Sequence, residues 1–476
     1  MIYDILIIGG GVTGTAVARE LSRYQLSIAL LEKEAELAFG VSKSNSGIVH
    51  PGTQNPPDSL KGRLCVRGNK LLRGLSREIG VYFKQVGELI IITTAADLPR
   101  LQKLLSDGRK LGVRGLRIVD RKWLAKNEPN LSSAVPYALY APTAGIISPY
   151  RLVYDLAENA AANGVEIFTD QLVTGVKKGR GFIVETTRRK FEARFMVNAA
   201  GLYADEVAAL YGAADFKITP RKGEEYLLDK KRENLTRHII FPLPTDKGKG
   251  MLVIKTSDGN PMIGPTAEDI EDKTDLSTTA EGFRKVTDSV REMAPCLDTR
   301  DIIAYFAGLR PVSGADFIIR AETALPGIVT VAGIQSPGLT ASPAIAEYVV
   351  RLLRKAGLNL RRKKHFQKYR PATSHLFASS VRRIRGLLER DPSYGDIVCR
   401  CELVSAREIR EAVRRGARTM DGVKFRTRAQ AGRCHGGFCT TRIMKIIAEE
   451  LKLPLTAVTK KGAGSELVTG DRRAPV

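Results

Sequence analysis

The chain begins YDILIIGGGVTGTAVARELSRYQLSIALLEKE from Tyr3, and no later stretch limits its fold as tightly. Ile5 to Ile8 are apolar on both alternating faces, which suits a parallel strand buried between two layers. Gly9, Gly11 and Gly14 follow at G-x-G-x-x-G spacing. The first permits a tight turn, the second lets backbone approach a pyrophosphate, and the third lets the next helix pack close to the strand. That helix is expected from about Thr13 to Tyr24, with its N-terminal amides and dipole aimed at the phosphates. SIALLE then forms a second strand ending in Glu32, 18 residues after Gly14, where a carboxylate accepts hydrogen bonds from a ribose. Strand, glycines, helix, strand and terminal acid in register identify a dinucleotide site. They do not choose between FAD and NAD.

With 476 residues, 43% of them hydrophobic, the chain can bury two or three domain cores. It has no apolar run of about 18 residues, so no membrane-spanning helix is expected. The apolar N-terminus lacks a basic flank and a cleavage site, and reads as a strand rather than a signal peptide. A cytoplasmic protein is expected, its six cysteines serving as ligands or free thiols instead of disulfides. The charge is lopsided. Of the net +24, +19 falls from Arg351 onward, where 30 Lys or Arg face 11 Asp or Glu. Such a block suits an acidic protein surface or a peripheral contact with the inner, anionic face of a membrane, and a plain solvated surface accounts for it equally well. Nucleic acid is not expected, because the basic residues are not interleaved with stacking aromatics.

Six further segments choose the cofactor by resemblance: SKSNSGIVHPGTQNPPDSLKGRLCVRGN from Ser42, GIISPYRL from Gly145, VNAAGLYAD from Val197, DGNPMIGPTA from Asp258, YFAGLRPVSGADFII from Tyr305 and AGIQSPGLTASPAIAEYV from Ala332. In that order, across roughly the first 350 residues, they resemble the FAD-dependent glycerol-3-phosphate dehydrogenase and L-2-hydroxyglutarate oxidase group, within the D-amino-acid-oxidase-like flavoproteins. The resemblance implies an α/β and α+β chain: a Rossmann-like FAD domain with an inserted antiparallel-sheet substrate domain. The FAD segments would be about 1–75, 145–215 and 300–355, and the substrate segments about 76–144 and 216–299. It implies non-covalent FAD held, besides Gly9, Gly11, Gly14 and Glu32, by Ser46 and Gly47, by Ala200 and Gly201 after the strand FMVNAAG, by Gly308, and by Gly338, Leu339 and Thr340. A helix expected from about Ser342 would offer its positive end to a reduced, anionic flavin.

The same resemblance places His50 of SGIVHPG beside the flavin ring. Oxidising an alcohol there needs a base for the hydroxyl proton, and a near-neutral imidazole suits that role. Arg310 of AGLRP would lie over the substrate pocket, where a planar guanidinium binds a phosphate or carboxylate through two parallel hydrogen bonds. Lys61, its neighbour Arg63, and Lys255 could add positive potential, so the substrate is expected to be a small anion. In two places the chain departs from the group: HPG (His50–Gly52) stands where HAG is expected, and SDGN (Ser257–Asn260) where HGN is. Facing inward, Asp258 would oppose an anion; facing outward, it would not matter to the pocket.

Four of the six cysteines fall close together near the C-terminus: Cys399 and Cys401, then Cys434 and Cys439. Between the pairs, VSAREIREAVRRGA reads as a helix with a capping box at Ser405 and Glu408 and a buried face at Ile409, Ala412 and Val413. TTRIMKIIAEEL reads as a second helix facing inward through Ile443, Ile446 and Ile447. Four thiolates on loops at helix starts suit a [2Fe–2S] cluster, and the unit resembles the bacterioferritin-associated-ferredoxin-like domain. Its second pair is C-x4-C, wider than the C-x2-C common there, and zinc remains the alternative metal. Cys65 and Cys296 read as plain core residues. The unit is expected over about 395–455 as a small helical domain built on the four cysteines. A basic linker with one helix at SSVRRIRGLLER would precede it over about 356–394, and a loosely attached tail would follow over about 456–476.

These features together imply an FAD-dependent dehydrogenase of an anionic hydroxy compound, sn-glycerol 3-phosphate first. Its electrons would leave through the cluster to an external acceptor, such as a second redox subunit. The alternatives are an L-2-hydroxyglutarate or other 2-hydroxyacid dehydrogenase, an amine-oxidising relative, and an electron-transfer subunit whose own pocket is idle.

Overall fold

The computed structural model describes residues 2–244, 248–370, 375–468 and 470. Its first sheet grows around the opening strand Ile2–Ile8. That strand pairs in parallel with Ile28–Leu31 on one side and with Lys190–Asn198 on the other. Val165–Phe168 and Ile328–Ala332 extend the parallel layer outward. Side-chain alternation along the strand feeds two different cores. Ile5 and Ile7 pack with the helices Val12–Leu21, Pro149–Ala162 and Gly338–Lys355. Leu6 and Ile8 pack on the opposite face, under the antiparallel strands Val173–Lys178 and Phe182–Thr186. Where the strand is buried on both faces it must be apolar at every position, and Ile5–Ile8 supplies that stretch.

The second sheet has nine strands, centred on Thr219–Leu228 and Pro261–Gly264 and running out to Glu88–Ile92, Tyr137–Ala141 and Arg117–Asp120. All its pairings are antiparallel except Ile239–Phe241 with Glu88–Ile92. The strand Ile302–Val312 also belongs here, paired along its length with Thr219–Leu228. This differs from its expected place among the FAD segments. Its partner on the sheet is the long strand that carries Gly223 to Tyr226, so its glycine and arginine reach the cavity from the substrate side.

Helix boundaries are set by local chemistry. Leu60–Ile79 starts at Ser59, whose hydroxyl accepts from Gly62 N, and stops at Gly80 in the left-handed region. A Cβ on Gly68 of this helix would overlap the Thr340 carbonyl, so its glycine lets it lie tight against Gly338–Lys355. The latter helix begins four residues earlier than expected, and Val12–Leu21 ends three residues sooner.

The C-terminal unit is a short hairpin, Ile397–Cys399 with Val404–Ser405, and three helices, Ala406–Arg414, Met420–Thr427 and Thr440–Leu451, around their own apolar core. The capping box at Ser405 and Glu408 forms in both directions. The middle helix carried no apolar stripe that the sequence could flag. Two expectations need correction. Residues 358–370 are pinned, not free: Gln25 N donates to Arg361 O, Lys363 N to Arg23 O, and Gln367 N to Asn163 Oδ1. The start of the tail is attached as well, with Val458 buried in the core and the amides of Met420 and Asp421 donating to Thr459 and Lys460. The expected linker helix forms as Val381–Arg390. Residues 371–374, 469 and 471–476 of the linker and tail lie outside the described residues.

Candidate active site and cysteine centre

One cavity of about 1450 Å³ runs from the glycine turn at Gly11–Thr13 to the antiparallel sheet at Arg310. The three glycines at its near end act differently. A Cβ on Gly14 would overlap the Gly9 carbonyl, and one on Gly9, whose φ is +109°, would overlap Ala199 O. A Cβ on Gly11 would meet only Ser42 Oγ, at 3.1 Å, so this glycine keeps backbone open to the cavity. The helix after it has no side-chain cap from its own N-cap residue, and neither has Gly338–Lys355. Both helix starts line the cavity. Glu32 ends its strand beside the turn, accepting from Gly10 N at 2.7 Å and Glu34 N at 3.0 Å, while burial raises its carboxyl above the usual range. Open backbone, two positive helix ends and a terminal carboxylate fit an elongated dinucleotide with a pyrophosphate.

Ser46, Gly47, Gly201, Gly308, Gly338 and Leu339 also line the cavity. Glu32 is not among the residues that line the cavity, and two further expected contacts are placed differently. Ala199, not Ala200, reaches the cavity. Thr340 is buried behind it, where its hydroxyl accepts from His50 N at 2.9 Å and donates to Ile48 O. Thr340 thus fixes the segment that presents His50.

His50 is almost fully buried on the cavity wall. Its Nε2 lies 3.3 Å from Ser336 Oγ and its Nδ1 3.6 Å from Glu88 Oε2. Glu88 has no exposure; its other oxygen accepts from Thr53 Oγ1 at 2.8 Å. Burial, then the charge of Lys249, pull the imidazole down to about 4, with Glu88 opposing them. At neutral pH the ring is therefore uncharged. In the tautomer that carries the proton on Nδ1, facing the otherwise unpartnered Glu88 Oε2, the Nε2 atom beside Ser336 is the one able to accept a proton.

Across the cavity, Arg310 donates to Thr266 O at 2.7 Å and more weakly to Lys222 O and Arg221 O. Among the described residues no carboxylate comes within ion-pair distance of it. Burial pulls its guanidinium below the usual range, and the nearby Glu225 opposes this. Glu225 accepts from Ser46 Oγ at 2.8 Å, leaves its other oxygen buried without a partner, and is pushed by burial up to about 7. Lys61 lines the cavity with Nζ on Ala315 O, and Lys249 lines it beside His50. Lys255 does not reach it: it ends its strand in an ion pair with Glu233 at 3.0 Å. Arg63 is exposed and bonds to Asp58 O.

Glu88, Glu225 and Lys249 escaped the sequence reading. Glu88 did leave a signal, a lone charge opening the apolar strand run ELIII, whereas Glu225, next to Glu224 in KGEEYLL, did not. Lys249, between two glycines in KGKG, left none. Asp258 faces outward: it accepts from Tyr150 OH at 2.7 Å and pairs with Arg428 of the C-terminal unit at 3.3 Å.

Among the described residues no group of three or more His, Cys, Asp or Glu stands where a single metal ion would be held. The four C-terminal thiols form two contacting pairs, Cys399 with Cys439 and Cys401 with Cys434, close enough to feel each other's charge. Cys434 is held below its usual range: burial opposes this, but Cys401 and the amides of Gly436, Gly437 and Phe438 hydrogen-bond to it. Two thiol pairs with amides turned toward sulfur fit a two-iron cluster better than one tetrahedral ion. Cys65 is buried beside His50 O as expected, whereas Cys296 is exposed and not a core residue.

Comparison with known proteins agrees with this division. Residues 4–352 match the FAD dependent oxidoreductase family and residues 397–449 the BFD-like [2Fe-2S] binding domain. A glycerol 3-phosphate dehydrogenase of Caloramator mitchellensis is 41% identical over 478 residues, covering the whole of both chains. A glycerol 3-phosphate oxidase of Mycoplasma genitalium is 34% identical over 74% of this chain and 94% of its own. Among solved structures, the dithionite-reduced L-alpha-glycerophosphate oxidase of Mycoplasma pneumoniae with FAD bound superposes with a TM-score of 0.74. It is 32% identical and covers 78% of this chain and 98% of its own.

Proposed function

Since this chain belongs to the FAD dependent oxidoreductase family and carries a BFD-like [2Fe-2S] binding domain behind it, we propose that it oxidises sn-glycerol 3-phosphate to dihydroxyacetone phosphate and delivers the electrons to an external acceptor. One observation carries this reading: His50, backed by Glu88, shares a single cavity with the FAD cradle and with Lys61, Lys249 and Arg310. Bound FAD supplies the acceptor for the two electrons and the hydrogen lost from the carbinol carbon. The protein's part is to orient and to move a proton. His50 Nε2 takes the hydroxyl proton while Glu88 steadies the imidazolium that results. Lys249 lies beside the base and Arg310 lines the same cavity across from it, and a phosphate bound between them would hold the substrate by its charged end. Phe241, Leu243 and Met251 add an apolar wall to the same cavity.

For the acceptor, we read a second redox protein with an acidic face, given the excess of positive charge around the cysteine unit. Among the described residues no helix is long and apolar enough to cross a membrane. A cytoplasmic location, with or without contact with an anionic membrane face, belongs to the same reading.

The test is anaerobic bleaching of the flavin absorbance by glycerol 3-phosphate, with L-2-hydroxyglutarate and glycine as comparisons. Glycerol 3-phosphate should bleach it fastest, and His50→Gln should slow that bleaching roughly 100-fold or more. Bleaching by L-2-hydroxyglutarate alone would keep the site and overturn the substrate.

A further inference from the structure

Between the cavity and the cysteine unit lies a buried cluster that the proposed chemistry does not use. Arg428 sits just past the helix Met420–Thr427, in the left-handed region at φ +73°, a conformation that costs a non-glycine residue energy unless its surroundings hold it there. Its side chain is 14% exposed and touches three separate parts of the chain. It donates to Tyr150 Oη at 3.2 Å, at the start of the helix Pro149–Ala162. It donates to Asn260 Oδ1 at 3.0 Å and pairs with Asp258 at 3.3 Å, both in the turn of the antiparallel sheet. It also pairs with Glu402 at 3.3 Å, the residue next to Cys401. Tyr150 closes the ring by donating to Asp258, and Asn260 Nδ2 donates on to Leu228 O.

We infer that Arg428 is the positioning residue that locks the Cys401 hairpin against the wall of the cavity, so that reduction of the cluster depends on it. The inference rests on the FAD and [2Fe–2S] assignment, and it gives the charge of Asp258 a use: the carboxylate serves the cysteine unit, not the cavity.

The ring does not line the cavity but is joined to its wall through one backbone hydrogen bond. Gly47, on the cavity wall, accepts from Ile147 N at 2.9 Å, and Tyr150 lies three residues further along the chain. From Tyr150 Oη a single guanidinium leads to Glu402 and so to Cys401. The charges are arranged to stay as they are. Burial pushes the Tyr150 phenol up to about 12, with Asp258 adding to it, so Tyr150 remains a neutral donor. Burial opposes the ionisation of Asp258, but Arg428, the Tyr150 hydroxyl and the charges of Arg151 and Lys230 together hold the carboxyl below its usual range. Removing one partner of such a set leaves a buried charge uncompensated, so the remaining members must move or take up water. Other contacts join the two bodies. Glu36 binds the amides of Arg418 and Thr419 and Arg426 Nη1 at 2.9 Å and touches none of the cysteine loops, whereas Lys230 pairs with Glu402 and Arg433 with Asp229, each at 2.8 Å but through a solvent-exposed cation whose pairing is worth less than that of the buried Arg428.

The test uses the full-length holoprotein with the flavin photoreduced, so that it does not depend on which substrate the enzyme takes. Two signals are followed: the rate at which the cluster absorbance bleaches after the flavin, and amide exchange in Met420–Thr427 and the turn 256–260. Arg428→Gln should slow cluster reduction about tenfold or more and deprotect both segments. Arg428→Lys, keeping the charge but losing the fork, should fall between it and the wild type. If Arg428→Gln does not retain iron, Asp258→Asn and Tyr150→Phe decide, each expected to slow cluster reduction with iron content intact. Cluster reduction at the wild-type rate in the iron-replete variants, with exchange unchanged, would overturn the inference.

Discussion

Glu88 and Glu225 stand in the same cavity in opposite states. Burial works against ionisation of Glu88, yet His50, Lys249 and Thr53 hold it below the usual carboxylate range, so it backs the imidazole as an anion. Glu225 has Ser46 and the charge of Arg310 against burial, and burial wins, pushing it up to about 7. Two acids whose surroundings drive them apart have different tasks. Below pH 7 Glu225 is neutral, and its unpartnered oxygen can donate to a bound oxyanion; above it, the same group places a negative charge where a phosphate must enter. The second-order rate of flavin bleaching by glycerol 3-phosphate should therefore fall as pH rises through about 7, while Glu225→Gln should flatten that limb. An alkaline limb that survives unchanged in the variant would remove Glu225 from the site.

The element that carries most of the fold is the turn from the first strand into the first helix. In an exposed helix, Gly→Ala gains up to about 1 kcal/mol from propensity. At Gly14 the new methyl would overlap the Gly9 carbonyl, and overpacking of that kind costs about 1–3 kcal/mol. Gly14→Ala should thus lower Tm and the FAD retained per chain, despite the better helix former. Gly386→Ala, in the helix Val381–Arg390 with open space around the position, should do neither. Equal effects of the two would mean that propensity, not close approach, governs the turn. This element was legible in the sequence because strand, glycines, helix and Glu32 are contiguous and each obeys a local rule. The capping box at Ser405 and the apolar faces of the two helices flanking the cysteine loops were legible for the same reason. The cavity was less so, because it joins segments far apart in the chain: His50 with Ser336, and Ser46 with Glu225. Lys255 and Lys249 show the limit. They are close neighbours and alike in sequence, yet strand geometry turns the first to Glu233 and only the second faces His50.

At the scale of the whole molecule, part of the basic excess of the C-terminal region is used internally. Arg426, Arg428 and Arg433 pair with Glu36, Asp258 and Asp229 of the larger body, so the block of charge first of all joins the two units. What remains outside surrounds a face where Cys401, Leu403, His435 and Phe438 are exposed, Phe438 at 83%. Cys401 places one edge of the cluster site at the surface, and apolar side chains beside a redox centre allow close approach of a partner. The field around this face should attract anions and repel cations over roughly 10 Å at 0.1 M salt. Small acceptors of opposite charge test this without knowledge of the natural partner. Turnover with ferricyanide, at saturating substrate, should fall several-fold or more as salt is raised, whereas turnover with hexaammineruthenium(III) should rise or stay level. Charge reversal at the exposed Arg400, between Cys399 and Cys401, should shrink the difference between the two acceptors. The same salt response for both acceptors would mean that the positive charge serves only to hold the domains together, and that electrons leave by a face it does not surround.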